Sequence, residues 1–528
     1  MSVLLPPRLD IIPEDAPFGA QQRRLLNAFF MDVMLKTAPP PPTASVATPA
    51  PPEESTPWKD PALDIAERMA LAEGRPLLQR MSAAVAQQDC GQCGYLCKTY
   101  AQAIFDHAEP RLQLCVPGGK ATARMLKSLV EEMGGGVLDP DELAAKAAAA
   151  PKDDPGAAPG YARAAPVRAR FIGRRRLNRE GSAKATYHIE IDLTEAGLTY
   201  TVGDSLGIFP RNPPALADAI IAAVDVPPDF PIAGEPLRDV LIERMSLAPA
   251  PDELFQFISY LTGGERRKKA KALAKGEDPD GDAETLDVLA ALQKFPGIRP
   301  DPEALIEVLE PLQPRLYSIS SSPKTEPGRV TLTVDRVSYP IDGRERLGVA
   351  STYLGDRIAA AGELLVYVQK AHAFCLPADD NTPIIMVGPG TGVAPFRAFL
   401  HERLATDAKG PAWLFFGHQR SAHDFFYEEE WELLRQRGTL TRLSLAWSRD
   451  GSAKTYVQDK MREDGAELWQ WLERGAHFYV CGDAKRMAKD VETALTDIAV
   501  THGGKSAAEA KAAVAALRQA GRYQADVY

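Results

Sequence analysis

Two tracts of this chain cannot bury a core, and they decide how the rest must be divided. Residues 38–57 and 136–163 are dominated by Pro, Ala and Gly. Such sequence is extended and semi-rigid, with too few large apolar side chains to offset the entropy of folding. The tracts separate an N-terminal segment, 1–37, and a small unit, 58–135, from a long C-terminal part. In a chain of 528 residues that part exceeds a single core. Its pattern divides it into 164–376 and 377–528.

Within the first segment, Ala20 to Leu35 carries Leu25, Leu26, Phe29, Phe30, Val33 and Met34 at helical spacing. This predicts an amphipathic helix that folds back on its own domain or docks on another subunit. Met1-Ser2-Val3 leads into Pro-rich, acidic sequence instead of an apolar leader, and no apolar run reaches the length of a membrane span. The expectation is a cytoplasmic chain with no membrane partner. A net charge of -10 argues against nucleic acid as a partner and permits docking to a basic protein surface.

In the small unit, Asp60 to Gln87 reads as helix, broken near Gly74-Arg75-Pro76. Four cysteines follow, Cys90, Cys93, Cys97 and Cys115, spaced C-x2-C-x3-C-x17-C, while Cys375 and Cys481 stand apart. Clustered cysteines without a secretory signal read as a metal site before they read as disulfides. Neighbouring glycines let the backbone curl, so the thiolates are expected to converge on one point. The stripe Tyr100, Ala101, Ile104 and Phe105 places Cys97 at a helix start, and Cys115 falls in a loop where Pro117 stops any helix. Four thiolates fit a structural zinc or a [4Fe–4S] cluster. Spacing alone leaves both open.

From Val167 the period changes. Val167–Ile172 and Thr186–Leu193 alternate as strands around a turn at 178–182, and Tyr200–Ile208 reads as strand and turn. Residues 213–310 are helical by pattern, with a charged, flexible stretch at Gly263–Ala283. They read as an insertion, because strands resume at Arg315 and over Thr331–Arg336. Arg315, Leu316, Tyr317 and Ser318 bring a guanidinium, a flat ring and a hydroxyl onto one short β-prone run. Arg can hold a phosphate through its planar fork, Tyr can lie against a flat heterocycle, and Ser can bond its edge. A flavin dinucleotide suits that set; an ordinary edge strand also uses it. Gly348, Val349, Ala350 and Ser351 precede a helix, where small residues either expose amides to a pyrophosphate or cap a surface helix.

The last part opens on a buried-type strand, Ile384–Val387. It runs through Gly388-Pro389-Gly390-Thr391-Gly392 into a helix, the layout of a dinucleotide cradle. No acidic residue follows at the distance that would hold a ribose 2′-hydroxyl. Instead Ser448, Arg449, Lys454, Tyr456 and Gln458 supply two cations, hydroxyls and a ring, which suit a 2′-phosphate and a stacked adenine. The charge logic favours NADPH over NADH. Further strands at Trp413–Phe416 and Phe478–Asp483, with a helix at Met487–Ala499, predict a doubly wound α/β domain. The terminal Tyr528 is either a frayed end or a cover for a flat ring.

Two resemblances sharpen these readings. CGQCGYLCKTYAQAI and CVPGG resemble the small [4Fe–4S] domain of membrane electron-transport subunits and corrinoid iron–sulfur proteins, with one residue fewer between the second and third Cys. From about residue 165 to 528, the motifs RLYS, GVASTYL, GPGTGVAPFRAF, FFGHQRSAHDFFYEEE, WSRD, KTYVQ, YVCGDAKRMAKD and RYQADVY occur in order. They resemble the reductase half of NADPH–sulfite reductase flavoproteins and of microsomal NADPH–haemoprotein reductases. The resemblance implies an antiparallel β-barrel FAD domain with a helical insertion, then an NADPH domain, an arrangement like ferredoxin–NADP reductase. It implies FAD contacts at Arg315, Leu316, Tyr317, Ser318, Thr333, Val334, Asp335, Tyr339, Gly348, Val349, Ala350 and Ser351. NADPH contacts are implied at Gly390, Thr391, Ser448, Arg449, Lys454, Tyr456, Gln458 and Asp490. Ser318, Cys481 and Asp526 match the polar trio around hydride transfer, and Tyr528 would stack on the flavin. Two positions depart: His418 stands where Cys is usual, and Cys375 where Arg is usual.

The family also carries an N-terminal FMN domain, of which residues 1–160 show no pattern, so no FMN is expected. The implied protein is a multidomain NADPH oxidoreductase in which a mainly α iron–sulfur module replaces that domain. Electrons would run from NADPH through FAD and a [4Fe–4S] cluster on Cys90, Cys93, Cys97 and Cys115. The implied acceptor is a sirohaem-containing sulfite reductase haemoprotein in an assimilatory complex. The two Pro/Ala tracts would let the module shuttle. A nitrite or nitrate reductase or a ferredoxin is the alternative acceptor, and a zinc-stabilised NADPH-binding redox sensor is the alternative function.

Overall fold

The structure is a computed structural model that describes residues 56–61, 63–133, 158–371 and 373–528. The helix expected at Ala20–Leu35 and most of both Pro/Ala tracts lie outside the described residues. From Pro57 onward the chain forms one compact unit.

The cysteine-bearing unit is helical. Its helices are α1 (Ile65–Leu71), α2 (Leu77–Ala84), α3 (Cys97–Phe105) and α4 (Gly119–Glu132). Asp64 and Glu67 form a reciprocal capping box at the start of α1, and Pro76 opens α2 after the expected break. The buried Arg68 binds α1 to its surroundings by donating to the carbonyls of Leu63 and Ala83. Met81, Tyr100, Ile104, Leu126 and Leu129 fill the core. Pro117 does not end a helix, as expected from its lack of an N–H, but precedes one: α4 begins two residues later.

Next comes a six-stranded antiparallel sheet. Its strands are β1 (Val167–Arg176), β2 (Thr186–Asp192), β3 (Ser205–Phe209), β4 (Arg315–Ser318), β5 (Arg329–Asp335) and β6 (Glu363–Gln369). Their order is β4-β3-β6-β1-β2-β5. A bridge between Ile319 and Leu332 joins the two outer strands and curls the sheet onto itself. Alternate residues, among them Phe171, Ile189, Ile191, Leu206, Leu332 and Val366, point to a common core. The strand expected from Tyr200 begins only at Ser205. Before it, Gly203 is left-handed, and the Asp204 carboxylate accepts from the amides of Thr201 and Ala371, which makes a turn.

The insertion is helical and has its own core, built on Ile220, Leu241, Leu254, Phe255, Leu289 and Phe295. The stretch expected to be charged and flexible contains a helix, Gly264–Ala274. Ala270 and Leu273, three apart and buried, anchor it to that core while its charges face outward.

The last domain is a five-stranded parallel sheet. It contains β7 (Ile384–Val387), β8 (Ala412–His418), β9 (Arg442–Trp447), β10 (His477–Gly482) and β11 (Tyr523–Val527), in the order β9-β8-β7-β10-β11. Helices pack on both faces, and the strands are near-continuously apolar, as burial on two sides requires.

A buried polar joint fastens the two sheets together. Arg397, on helix α5 (Ala394–Ala405), is 5% exposed. It donates to Glu430 at 2.7 Å and to the Ser320 carbonyl of the antiparallel domain at 2.7 Å, with the Tyr427 ring beneath it. The Tyr427 hydroxyl bonds Thr333 at 2.7 Å and His188 Nδ1 at 3.2 Å. Burial, reinforced by Arg397 and Arg175, holds the His188 imidazole far below its ordinary range, at about 3. Burial opposes the Glu430 charge, yet bonds from His401 and Arg397 keep its carboxyl at about 2.

This joint should be acid-labile. Between His188's ordinary range and about pH 3, the unfolded chain binds a proton that the folded chain refuses. Stability should therefore fall with decreasing pH by up to roughly 1.4 kcal/mol per pH unit from this residue. His188→Gln should flatten the dependence of melting temperature on pH below about 6.5; an unaltered slope would place the effect elsewhere.

Candidate functional site

The hydride-transfer residues expected from the sequence meet between the two sheets. Parallel pairing of β10 with β11 sets Cys481 beside Asp526. Ser318, at the end of β4, donates to Asp526 Oδ2 at 2.5 Å, and Cys481 Sγ lies 3.7 Å from the same oxygen. Burial pushes the Asp526 carboxyl above its usual range and the Cys481 thiol well above its own. Two residues on, the Tyr528 amide donates to the Gly482 carbonyl, and its hydroxyl lies 3.0 Å from Thr391 Oγ1. The chain end is thus tied down, with the Tyr528 side chain 54% exposed.

The residues expected to hold FAD fall into two groups. Arg315 and Tyr317 are half-buried on β4, and Arg315 turns back toward the carbonyls of Gln313 and Pro314. Gly348 to Ser351 form the expected turn into a helix; the Ser351 hydroxyl accepts from the Val337 amide and Ala350 is buried. Tyr339 is 51% exposed. Three other side chains are committed elsewhere. Val334 lies in the core, Thr333 is held by Tyr427, and Asp335 pairs with Lys184 at 2.9 Å.

The residues expected to hold NADPH lie beyond the carboxyl ends of the parallel strands, where open α/β sheets take their ligands. Ser448 follows β9 and its amide donates to the His418 carbonyl at 3.0 Å. Arg449 and Lys454 are exposed, Tyr456 is 44% exposed, and Gln458 donates to Asp490 at 3.3 Å. Tyr339, Tyr456 and Tyr528 thus each leave a ring uncovered, as stacking on a flat heterocycle requires. Gly390 is left-handed, and Gly392 lies so close to β10 that a Cβ there would stand 2.1 Å from the Cys481 carbonyl oxygen. The departure His418 rests 3.1 Å from Asp424, whose carboxylate also accepts from Asn178 and Ser182 across the domain boundary.

Cys90, Cys93, Cys97 and Cys115 line one pocket with Tyr95, Tyr100 and Val116. Among the described residues, no group of three or more His, Cys, Asp or Glu is placed to hold a single metal ion. The thiols ring a space instead of converging on one point as expected. Burial pushes the thiols of Cys93 and Cys97 up to about 12 and raises those of Cys90 and Cys115. Ligation would therefore have to displace protons.

The cysteine unit is seated on the flavin-type domain, whereas the sequence suggested a tethered shuttle. Gln92 donates to the Pro314 carbonyl at 2.6 Å, one residue before β4, and Arg163 donates to the Gln92 carbonyl at 3.0 Å and to Gln313. A Cβ on Gly91 would stand 3.2 Å from Gln369. Arg124 of α4 forms a two-pronged pair with Asp252 of the insertion at 2.6 and 2.8 Å. Sequence reasoning missed this seat and the Arg397 joint. The signal for the joint was an Arg within the apolar run of α5; Gln92, between two ligand-type cysteines, gave none.

Comparison with known proteins identifies the domain types. An FAD-binding domain family matches residues 161–256 and 237–353, and an oxidoreductase NAD-binding domain family matches residues 386–493. The chain is 42% identical over 378 residues to the sulfite reductase [NADPH] flavoprotein alpha-component of Yersinia pestis bv. Antiqua (strain Antiqua), covering 70% of this chain and 61% of that protein. The protein of that name from Escherichia coli O157:H7 is 42% identical over 378 residues, covering 70% and 62%. The chain thus spans about three fifths of the length of the curated relatives it matches.

The crowding at Gly392 gives a direct check. Gly392→Ala should force β10 away and disturb the Cys481–Asp526 pair, at a cost of about 1–3 kcal/mol. Thermal melting should show it; an unchanged melting temperature would mean the turn relaxes freely.

Proposed function

From the match of residues 161–353 to an FAD-binding domain family and of residues 386–493 to an oxidoreductase NAD-binding domain family, we propose an NADPH-dependent flavin and iron–sulfur reductase of the sulfite reductase flavoprotein type. The observation that carries the proposal is the double use of β4. At its end, Ser318 bonds Asp526 beside Cys481; just before its start, Pro314 receives Gln92 from the cysteine loop. At a strand rise of about 3.3 Å per residue, the two points lie roughly 13 Å apart.

Arg315, Tyr317, Tyr339 and the 348–351 turn would hold FAD, and Tyr528 would cover its ring. Ser448, Arg449, Lys454, Tyr456, Gln458 and Asp490 would hold NADPH. The four cysteines would ligate a [4Fe–4S] cluster in place of an FMN domain. The flavin supplies hydride acceptance and the cluster one-electron release. Ser318, Cys481 and Asp526 orient the nicotinamide and keep a proton-bearing polar pocket in a water-poor site. The helical module on β4 keeps the second station near the first. A sulfite reductase haemoprotein is the proposed acceptor, by analogy with the relatives' name. Among the described residues, no helix is long and apolar enough to cross a membrane.

Anaerobically purified protein should contain FAD without FMN, and about four irons and four sulfides. Two variants then separate the halves. Asp526→Asn should slow NADPH oxidation with ferricyanide on the order of 10²-fold while iron and sulfide stay. Cys90→Ser should lose iron and sulfide, keep ferricyanide reduction, and lose reduction of the haemoprotein. Zinc without sulfide, or a Cys90→Ser protein that still reduces the haemoprotein, would remove the cluster from the route.

A further inference from the structure

The helical insertion carries a basic surface that the cofactor sites do not use. In a chain of net charge -10, helix Gly264–Ala274 and the following residue hold six cations in twelve positions. Contacts within the insertion account for some of them. Arg266 and Arg267 donate to backbone carbonyls, and Lys268 and Lys269 pair with Glu265 and Asp280. Lys271 and Lys275 are exposed and, among the described residues, have no acidic partner within ion-pair distance. Their charge is not needed to hold this helix in place; Ala270 and Leu273 anchor it to the core of the insertion.

Beside these lysines the preceding helix, Asp252–Leu261, presents Tyr260 at 68% exposure, followed by the exposed Leu261. An exposed aromatic within a basic rim has the composition of a protein-docking hot spot. The patch is also continuous with an open cleft of about 1520 Å³, too large for an ordinary small-molecule pocket. Tyr260, Lys275 and Lys127 line it, together with Cys115 and Val116. Lys127, on α4, is likewise exposed. The cleft therefore leads from the basic surface to one of the four cysteines.

We infer that Tyr260, Lys271, Lys275 and Lys127 form the docking surface for the acceptor protein, and that the docking face of this acceptor is acidic with an apolar centre. This rests on the reading of the cysteine unit as the exit station for electrons. An acidic face would be drawn to Lys275 and Lys127 along the cleft and to Lys271 beside it, and docking there would bring the acceptor against the loop that holds Cys115. Rim charges of this kind act on encounter rate and salt dependence, and the aromatic on residence time.

The test uses the full chain with its cofactors and a sulfite reductase haemoprotein as the probe. Binding is measured at about 50 and 200 mM salt, a range over which surface charge is progressively screened. The wild type should bind more tightly at low salt. Lys271→Glu with Lys275→Glu should weaken binding about tenfold or more and reduce the salt dependence, and Tyr260→Ala should speed dissociation. Iron content, ferricyanide reduction and melting temperature should not change, which excludes misfolding. Unaltered binding by the charge-reversed protein would overturn the docking surface. So would variant-sensitive binding to anionic vesicles or RNA with none to the haemoprotein. Failure of the wild type to pass electrons from NADPH to the bound haemoprotein would instead overturn the functional reading, because that transfer is scored separately from binding.

Discussion

Strand β4 is held at both ends by side chains from other parts of the molecule, and the rest of the arrangement depends on that. Asp526 accepts from Ser318 at one end, and Gln92 donates to Pro314 just before the other. Both acceptors and donors are drawn from units that the sequence separates by long distances. A four-residue strand is too short to be positioned by its own ladder, which consists of pairing with β3 alone apart from the Ile319 bridge. The flanking bonds, and the Arg397 joint behind them, convert a curled sheet and a parallel sheet into one body with a shared edge.

That joint illustrates how a buried polar network can specify a geometry. Arg397, Glu430, Tyr427, Thr333 and His188 satisfy one another across the boundary between domains. A sliding or rotated interface would leave a guanidinium or a carboxylate unpaired in a dry site, at a cost of several kcal/mol. The interface therefore has one register, and that register is what sets Ser318 against Asp526.

Much of this was legible in the sequence. Strand and helix positions in the parallel domain followed from apolar runs between glycines, and the expected trio did assemble, because Cys481 and Asp526 are carried by adjacent strands and Ser318 by the facing sheet. The cysteine set was legible as a set. Its geometry was not: spacing along the chain does not say whether four thiols meet at a point or ring a space. The charged stretch at 263–283 was misread because its six cations hid two apolar anchors, Ala270 and Leu273. The seat of the cysteine unit could not be read at all, since Gln92 and Pro314 have no local signature and meet over more than two hundred residues of chain.

The proposed relay requires that a flavin and a cluster held at the two ends of β4 exchange electrons. The most direct measurement is an anaerobic NADPH titration of the intact chain, following flavin absorbance and the reduced-cluster paramagnetic signal together. The account predicts that the flavin bleaches first and the cluster signal then grows without any added mediator. A flavin that bleaches fully while the iron–sulfur signal never appears would contradict it.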